Sequence, residues 1–292
     1  MMLDNKEVGN GKRETEAKSK KQNAKCVEST FGVLPFAFCS EDSAHSSQFT
    51  AHSERYNRNI LVEQIGEEGQ KKLSQAKILV CGAGGLGSTV IANLASLGIG
   101  TVGQIGILDN DVLELSNLNR QYIHKFDNIG KLKVESAKTW IKEFNPEINV
   151  NTYPIRLDEN NYQEIVAGYD LIMDCFDSYK SKFLLNKIAV NTGKTLIHGG
   201  VTEFFGQVTT IIPRTTACLN CLLPETDQYT IKGVLSPAVA TIASIQAMEA
   251  VKIILNIGER LENRLLSYDG LRMQFKTINI AKNPSCELCS RF

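Results

Sequence analysis

Four glycines fall within six positions of the segment KILVCGAGGLGSTV. Gly82, Gly84 and Gly87 have the spacing G-x-G-x-x-G, and Gly85 lies between them. Glycine at these positions lets the backbone approach a phosphate group at the positive end of a helix. In such sites an acidic residue about 20 positions further on binds the ribose hydroxyls, and Asp109 stands there. The spacing therefore predicts a nucleotide site, for which NAD is the commonest ligand of the motif taken alone.

Basic and acidic residues further along the chain favour a triphosphate over the pyrophosphate of NAD. Arg120 lies in SNLNRQ, and Lys131 and Lys133 lie in GKLKVES at the start of a predicted helix. Their cations suit a more highly charged ligand, although each could also be an ordinary solvated surface charge. Asp174 and Asp177 in DLIMDCFD follow a later strand, at the edge where open α/β sheets bind ligands. Because a carboxylate beside a polyphosphate commonly holds Mg²⁺, these acids predict a magnesium site.

Four of the eight cysteines form two C-x-x-C pairs. Cys218 and Cys221 form CLNC, and Cys286 and Cys289 form CELC. Two such pairs in a chain without an export signal predict one tetrahedral four-cysteine zinc site, in which each pair forms a knuckle. The alternative is a redox C-x-x-C motif, which needs only one pair. The presence of two pairs therefore favours zinc.

Strand-like and helix-like segments alternate from KILVC onward, and these elements must position the residues above. Predicted strands are KILVC, QIGILDND, INVNTYPI and DLIMDCFD; predicted helices are STVIANLASLG, KVESAKTWIKEFNP and DENNYQEIVAGY. This succession predicts an α/β fold with a Rossmann-like, doubly wound, mainly parallel sheet. After TLIHGG the chain becomes β-rich, with GQVTTIIP and RLLSYDG separated by the apolar helix SPAVATIASIQAMEAVKIIL. Ser236 and Pro237 are predicted as the N-cap and first position of that helix.

Length and composition set the class of protein. The chain has 292 residues, of which 42% are hydrophobic, enough to bury a core. Lys+Arg and Asp+Glu both number 32, so no net charge indicates nucleic acid or an anionic membrane as a partner. The N-terminal stretch lacks a signal-peptide core, and we expect a cytoplasmic protein that binds neither membrane nor nucleic acid. Residues 1–50 show no helix or strand pattern and predict a mobile extension, with a docking segment at 31–38, before a domain spanning 51–292.

Several segments resemble the motifs of the ThiF/MoeB/HesA family of E1-like adenylyltransferases. They occur in the family's order from about Arg55 to Cys289: RYNRNI, GAGGLG, LDND, SNLNRQ, GKLKVESA, DCFD, GQVT, SPAV, QAMEAVK and the two C-x-x-C pairs. The resemblance implies an enzyme that uses ATP and Mg²⁺ to adenylate the C-terminal glycine of a small ubiquitin-like sulfur carrier protein ending in Gly-Gly. The products would be an acyl-adenylate and pyrophosphate. This chemistry depends on positioning and charge neutralisation rather than on a protein nucleophile.

The resemblance also implies a role for each candidate residue. The nucleotide would be bound by the glycines Gly82, Gly84, Gly85 and Gly87. Asp109 would bind the ribose, Asn117 and Arg120 would bind the phosphates, and Lys133 would act from the start of a helix. Asp177 would organise Mg²⁺, and Arg58 would reach into the neighbouring protomer's site. The role of Arg58 implies that the active form is a homodimer.

One departure from the family concerns the loop between the first C-x-x-C pair and the long apolar helix. Many relatives carry a cysteine there that accepts the carrier covalently. The segment LLPETDQYTIKGVL has none, Tyr229 stands near that position, and no cysteine occurs between Cys221 and Cys286. We therefore predict that the carrier is not held as a thioester or persulfide. The chain ends three residues after Cys289, so the sulfurtransferase is expected to be a separate protein.

Three alternatives stay open. An enzyme that adenylates the C-terminus of a ribosomal peptide in natural-product biosynthesis would also fit the missing cysteine, but residues 1–50 are poor in the patterns of a leader-binding domain. An NAD-dependent oxidoreductase with a structural zinc would leave the basic residues and Asp177 without a role. A non-enzymatic scaffold would need none of these charged positions. His124 and His198 are predicted to be structural, since each is a lone histidine beside an apolar run.

Overall fold

The computed structural model describes residues 51–223 and 233–291 of the chain. The predicted N-terminal extension with its docking segment, and the position of Tyr229, lie outside the described residues. The domain boundary near residue 50 therefore stays a prediction.

Eight strands form one mixed sheet at the centre of the described chain, in the order β3-β2-β1-β4-β5-β6-β7-β8. Strands β1 to β5 pair in parallel, and β5 to β8 pair antiparallel. The Rossmann-like doubly wound sheet with a β-rich C-terminal part is thus present as predicted. The strands are β1 Lys77–Cys81, β2 Gln104–Leu108, β3 Val150–Tyr153, β4 Leu171–Asp174, β5 Thr195–Thr202, β6 Phe205–Ile211, β7 Arg264–Asp269 and β8 Gln274–Asn279.

Helices cover both faces of this sheet. They are α1 Ala51–Ile60, α2 Gly66–Gln75, α3 Gly85–Ser96, α4 Lys133–Phe144, α5 Tyr162–Ala167, α6 Tyr179–Thr192, α7 Leu219–Leu222 and α8 Ser236–Leu255. One apolar core contains buried residues of α3, α4 and α8, and a second core on the opposite face contains those of α5, α6 and α7. Because both faces are covered, the central strands β1, β2 and β4 are almost continuously apolar.

Five elements lie outside the predicted set, namely α1, α2, α6, α7 and β8, and two of them show why. Helix α6 begins after Ser178, whose hydroxyl caps it by accepting from the Ser181 amide, and ends at Gly193 with φ +70°. The other is β8, whose six residues are all exposed, so no alternation of buried and exposed side chains marks it. The predicted strands at β2, β3 and β4 are also shorter than expected; β2, for example, ends at Leu108 and leaves the acidic residues after it in a loop.

Helix α8 packs between α3 and strands β5 and β6. Among the described helices it alone has the length and apolar composition of a membrane span, but 56% of that apolar window is buried inside the protein. Core packing accounts for its composition. The predicted cap is wrong: Leu235 is the N-cap, and Ser236 is the first helical residue, with its hydroxyl bonded to the phenol of Tyr122.

Candidate active site

The four glycines lie in the turn that joins β1 to α3. Gly82 has φ +102°, and a Cβ there would lie 2.7 Å from the carbonyl oxygen of Cys175. A Cβ on Gly87 would lie 1.8 Å from the carbonyl oxygen of Gly82. Any side chain at either position would collide with backbone. The sequence therefore needs glycine at both positions to bring the turn close to strand β4.

Helix α3 begins at Gly85, with Gly84 as its N-cap. The first amides of a helix have no acceptor within the helix, and the aligned peptide dipoles place positive charge at this end. A glycine-rich turn that leads into a helix N-terminus is an anion-binding geometry. Val239 of α8 closes the far side of the turn, since its Cγ1 lies 3.1 Å from the Cβ position of Gly85.

Asp109 follows directly after β2 and binds the glycine turn. Its Oδ2 accepts the Ala83 amide at 2.7 Å, and its Oδ1 accepts the Asp111 amide at 2.8 Å. Burial raises the pKa of Asp109, and the nearby Lys133 ammonium opposes that rise. A carboxylate has about four lone-pair sites, so two amide bonds leave Asp109 able to accept further hydrogen bonds, such as those from ribose hydroxyls.

Lys133 is the first residue of α4 and lies next to these acids. Its Nζ donates to Asp111 Oδ2 at 2.7 Å, and its side chain is only 8% exposed. The backbone amide of Lys133 also donates to the Asp111 carbonyl at 2.9 Å. A cation is thus held beside the turn with one carboxylate as its partner.

Arg120 lies alongside the glycine turn. Its aliphatic stem is 3.7 Å from the Cβ position of Gly85. Its Nη1 donates to the Ser116 carbonyl at 3.0 Å and to Asn119 Oδ1 at 2.8 Å, both within its own loop. No carboxylate of the described residues pairs with Arg120, so its charge is available for a phosphate.

Asn117 is buried in the same loop, where its side chain forms hydrogen bonds with neighbouring residues. Its Oδ1 accepts the Glu114 amide at 3.1 Å, as one half of a capping box around the turn Leu115–Asn117. Its Nδ2 donates to Ser116 Oγ at 3.5 Å. The predicted phosphate contact of Asn117 stays a prediction.

Asp174 and Asp177 lie in different environments, although they are only three positions apart in the sequence. Asp174 is fully buried, with Lys182 Nζ 3.2 Å from Oδ1 and His198 Nδ1 2.7 Å from Oδ2. Asp177 is exposed in the loop after β4. The expectation that Asp174 helps to hold Mg²⁺ is therefore wrong, because its carboxylate is occupied inside the core. Asp177 alone of the two faces solvent.

The ionisation of this buried cluster follows from its contacts. Burial raises the pKa of Asp174, but the charge of Lys182 and the hydrogen bond from His198 outweigh it and hold the pKa below its usual range. Burial lowers the pKa of His198. The neutral His198 ring donates from Nδ1 to Asp174 and accepts at Nε2 from Gln207, at 3.3 Å.

Two histidines predicted to be structural are thus both buried, and one of them touches the candidate site. His124 places Nε2 2.9 Å from the Ala83 carbonyl oxygen and Nδ1 2.9 Å from Ser136 Oγ.

Arg58 lies on α1, away from these contacts. The helix is anchored by Tyr56, which is buried against Gly98 and whose hydroxyl accepts from Asn145 Nδ2 at 2.6 Å. Arg58 itself is exposed, and no hydrogen bond or ion pair among the described residues engages it. Its predicted reach into a partner's site stays a prediction.

The four cysteines of the two C-x-x-C pairs meet in one cluster. All four sulfurs lie within 4.8 Å of one another. Three of the separations are 4.0 Å for Cys218–Cys221, 3.7 Å for Cys218–Cys286 and 3.4 Å for Cys221–Cys289. Tetrahedral Zn–S bonds of about 2.3 Å place sulfurs about 3.8 Å apart. The donor set and its spacing fit a zinc ion, and they leave no open coordination position for a substrate.

Comparisons with known proteins agree with this geometry. Residues 56–288 match the ThiF family. The SAMP-activating enzyme E1 of Haloferax volcanii is 39% identical over 242 residues, which cover 81% of this chain and 88% of that protein. The sulfur carrier protein adenylyltransferase of Thermus thermophilus is 35% identical over 247 residues, covering 81% and 90%. The solved structure of E. coli MccB with ATP is 25% identical and covers 81% of this chain and 74% of that one, with a TM-score of 0.70.

The glycine turn, the acid after β2, the basic residues beside them and three of the four clustered cysteines fall inside the matched region, which ends one residue before Cys289. The chain belongs to the ThiF family.

Proposed function

We propose that this protein is an adenylyltransferase that uses ATP and Mg²⁺ to activate the C-terminal glycine carboxylate of a small ubiquitin-like sulfur carrier protein ending in Gly-Gly. The carboxylate oxygen attacks the α-phosphorus, the bond to the bridging oxygen breaks, and pyrophosphate leaves. The observation that carries the proposal is the gathering of Asp109, Arg120 and Lys133 around the glycine turn. The names of the two relatives that are 39% and 35% identical support the carrier as substrate.

The glycine turn and Asp109 hold the nucleotide in this proposal. The amides at the start of α3 donate to phosphate oxygens, and the helix dipole favours their negative charge. Asp109 accepts the ribose hydroxyls while its bonds to the Ala83 and Asp111 amides fix its orientation.

Arg120 and Lys133 neutralise the charge that builds up on the phosphates. Arg120 exchanges its neutral loop partners for phosphate oxygens, where charge-assisted bonds are stronger. Lys133 is held at its position by Asp111, so little reorganisation accompanies the reaction.

Asp177 is the acid that fits Mg²⁺. Mg²⁺ bound to nucleotides takes one or two protein carboxylates, with phosphates and waters completing its octahedron. An exposed carboxylate at the C-terminal edge of β4 suits that role, whereas Asp174 is occupied by Lys182 and His198. The metal supplies charge neutralisation at the phosphates when it is bound.

The remaining parts of the proposal concern partners. Arg58 completes the site of a second copy, which makes the homodimer the active form. Zinc at the four cysteines is structural. Since no cysteine occurs between Cys221 and Cys286, the acyl-adenylate passes to a separate sulfurtransferase without a covalent enzyme intermediate. A reducing cytoplasm would keep the four thiols available for metal.

ATP–pyrophosphate exchange tests the proposal. Purified protein, Mg²⁺ and labelled pyrophosphate are combined with a carrier ending in Gly-Gly, or with the same carrier lacking its last glycine. Exchange is expected with the intact carrier and loss of more than about a hundredfold with the truncated one, since the attacking carboxylate is misplaced. Exchange with a free peptide C-terminus instead of any carrier would favour the ribosomal-peptide alternative.

A pair of aspartate variants makes the assay specific for the site. Asp177→Ala is expected to abolish exchange. Asp170→Ala is the matched control, because Asp170 is also exposed and lies at the opposite end of strand β4. Equal activity of the two variants would refute the role of Asp177. Hydride transfer from a substrate to NAD, with no pyrophosphate exchange, would refute adenylation altogether.

A further inference from the structure

His124 is a buried side chain that contacts the glycine turn, and the proposed reaction assigns it no role. Its exposure is 6%. Nε2 lies 2.9 Å from the Ala83 carbonyl oxygen, and Nδ1 lies 2.9 Å from Ser136 Oγ. Since Ser136 belongs to α4, the ring joins the glycine turn to the helix that begins with Lys133.

The partners of His124 determine which ring nitrogen carries the proton. A carbonyl oxygen only accepts, so Nε2 must donate to Ala83. Nδ1 of the neutral ring then accepts from the Ser136 hydroxyl, whose oxygen accepts in turn from Asn128 Nδ2 at 3.1 Å. Burial lowers the pKa of His124, which outweighs the opposite effect of the bond to Ala83. The ring is therefore neutral at pH 7, in the Nε2–H tautomer.

Ala83 is held on both sides by these contacts. Its amide donates to Asp109 Oδ2 at 2.7 Å, and its carbonyl accepts from His124. Because a trans peptide unit is planar, the Ala83 carbonyl and the Gly84 amide point in opposite directions. Fixing the carbonyl towards His124 turns the Gly84 N–H to the other side, where none of the described residues accepts it.

The loop that carries His124 contacts three successive residues of the glycine turn, Ala83, Gly84 and Gly85. Gln121 Nε2 lies 3.7 Å from the Cβ position of Gly84, and the stem of Arg120 lies 3.7 Å from that of Gly85. His124 is thus one contact of an extended interface and not an isolated core histidine.

We propose that His124 is a positioning residue for ATP: its Nε2–H, in a ring whose Nδ1 is bonded to Ser136, holds the Ala83 carbonyl so that the Gly84 amide is presented to a phosphate oxygen. The inference rests on the ATP binding of the proposed function. His124 touches no reacting atom, so its loss weakens ATP binding and raises the KM for ATP while kcat changes little.

Equilibrium binding of α,β-methylene ATP with Mg²⁺, without a carrier, tests this directly. His124→Leu is expected to weaken binding about tenfold, the effect of one lost hydrogen bond to a buried carbonyl. His124→Gln keeps an amide N–H at nearly the same reach and is expected to bind within about threefold of the wild type. Ile141→Ala creates a cavity in the same helix α4 without touching the turn, and serves as the control for lost stability.

Nitrogen NMR of the histidine rings is a second test, because the proposal requires one particular tautomer of His124 and a merely structural role does not. The chain has four histidines, and the two described buried ones have opposite tautomers: Nε2–H in His124 and Nδ1–H in His198. Ser136→Ala removes the partner of Nδ1 but not the Ala83 carbonyl, so the ring is expected to stay in the Nε2–H form and ATP binding to weaken by no more than severalfold. A wild-type His124 that is protonated or in the Nδ1–H form at pH 7 would overturn the proposal.

The outcomes separate this inference from the proposed function. If no carrier supports exchange but His124→Leu still weakens ATP binding and Ile141→Ala does not, carrier activation fails and the role of His124 stands. Exchange with a carrier together with unchanged ATP binding by His124→Leu would overturn the role of His124 alone. A wild type that binds no ATP overturns both.

Discussion

The sulfurs of Cys221 and Cys289 lie 3.4 Å apart, although 68 residues separate them in the chain. A disulfide would need about 2.05 Å. The separation instead fits two ligands of one metal ion, and such an ion would tie the C-terminal segment to helix α7.

Removal of the metal is expected to loosen this part of the protein. The purified protein should contain one zinc per chain, and chelation or Cys289→Ser should lower the unfolding temperature by roughly 10 °C, since metal-binding energy is folding energy. Elemental analysis and calorimetry check both statements. Cys175→Ala removes a buried thiol outside the cluster and should retain zinc fully. A metal-free wild type with unchanged stability on chelation would contradict the prediction.

Gly87→Ala is expected to abolish nucleotide binding. Its Cβ would lie 1.8 Å from the Gly82 carbonyl oxygen, so the turn must move away from α3. Displacing the backbone in this way costs about 1–3 kcal/mol of stability, and it also moves the amides that would bind phosphate. Titration with ATP and urea unfolding measure the two effects. Gly233→Ala is the control, because no atom of the described residues lies within 4 Å of its Cβ position. ATP binding by Gly87→Ala at wild-type strength would rule out the turn as the phosphate site.

Stability is expected to fall as the pH drops below about 6.5, the ordinary pKa of histidine. The folded-state pKa of His198 and of His124 is lowered by burial, so below pH 6.5 the unfolded chain takes up protons that the folded chain does not. Above that pH both states are neutral and the effect vanishes. Each histidine contributes up to ~1.4 kcal/mol per pH unit until its folded pKa is reached.

Urea unfolding at pH 7.5, 6.5 and 5.5 measures this slope. His198→Asn keeps a donor near the Nδ1 position but cannot titrate, so it should flatten the dependence. Asp174, whose pKa is lowered, loses its stabilising effect only as the pH falls below its unfolded value of about 3.9 and does not enter this range. A slope unchanged by His198→Asn would assign the effect to other groups.

Lys182→Met is expected to destabilise the protein by about 3–5 kcal/mol, because it leaves the Asp174 carboxylate buried without its cation. Adding Asp174→Asn should recover at least half of that loss. Chemical denaturation of the two single variants and the double variant gives the coupling. Additive losses would mean that the two charges do not stabilise each other.

The sequence was most informative where the strands are buried on both faces. KILVC coincides with β1, and the parallel half of the sheet follows from apolar runs separated by helical patterns. Helix α6 was missed because lysines and asparagines interrupt its apolar positions, and two of them, Lys182 and Asn186, are buried as partners of other polar groups. Strand β8 was missed because it is an exposed edge.

The candidate site was predictable in its residue types but not in its geometry. Motif spacing brought out Asp109 and Lys133, which the fold places beside one turn. Spacing could not tell Asp177 from Asp174, because the difference depends on α6 and β5 supplying buried partners from distant positions. The contact of His124 with Ala83 likewise forms between segments 41 residues apart.

The apolar helix α8 also has a mechanical consequence. Its 20 residues form a rod about 30 Å long. Val239 near one end contacts Gly85 of the glycine turn. Leu255 at the other end lies 3.5 Å from the Cβ position of Gly69 in α2, and α2 packs against α1. Direct contacts therefore connect the glycine turn, through α8 and α2, to the helix that bears Arg58.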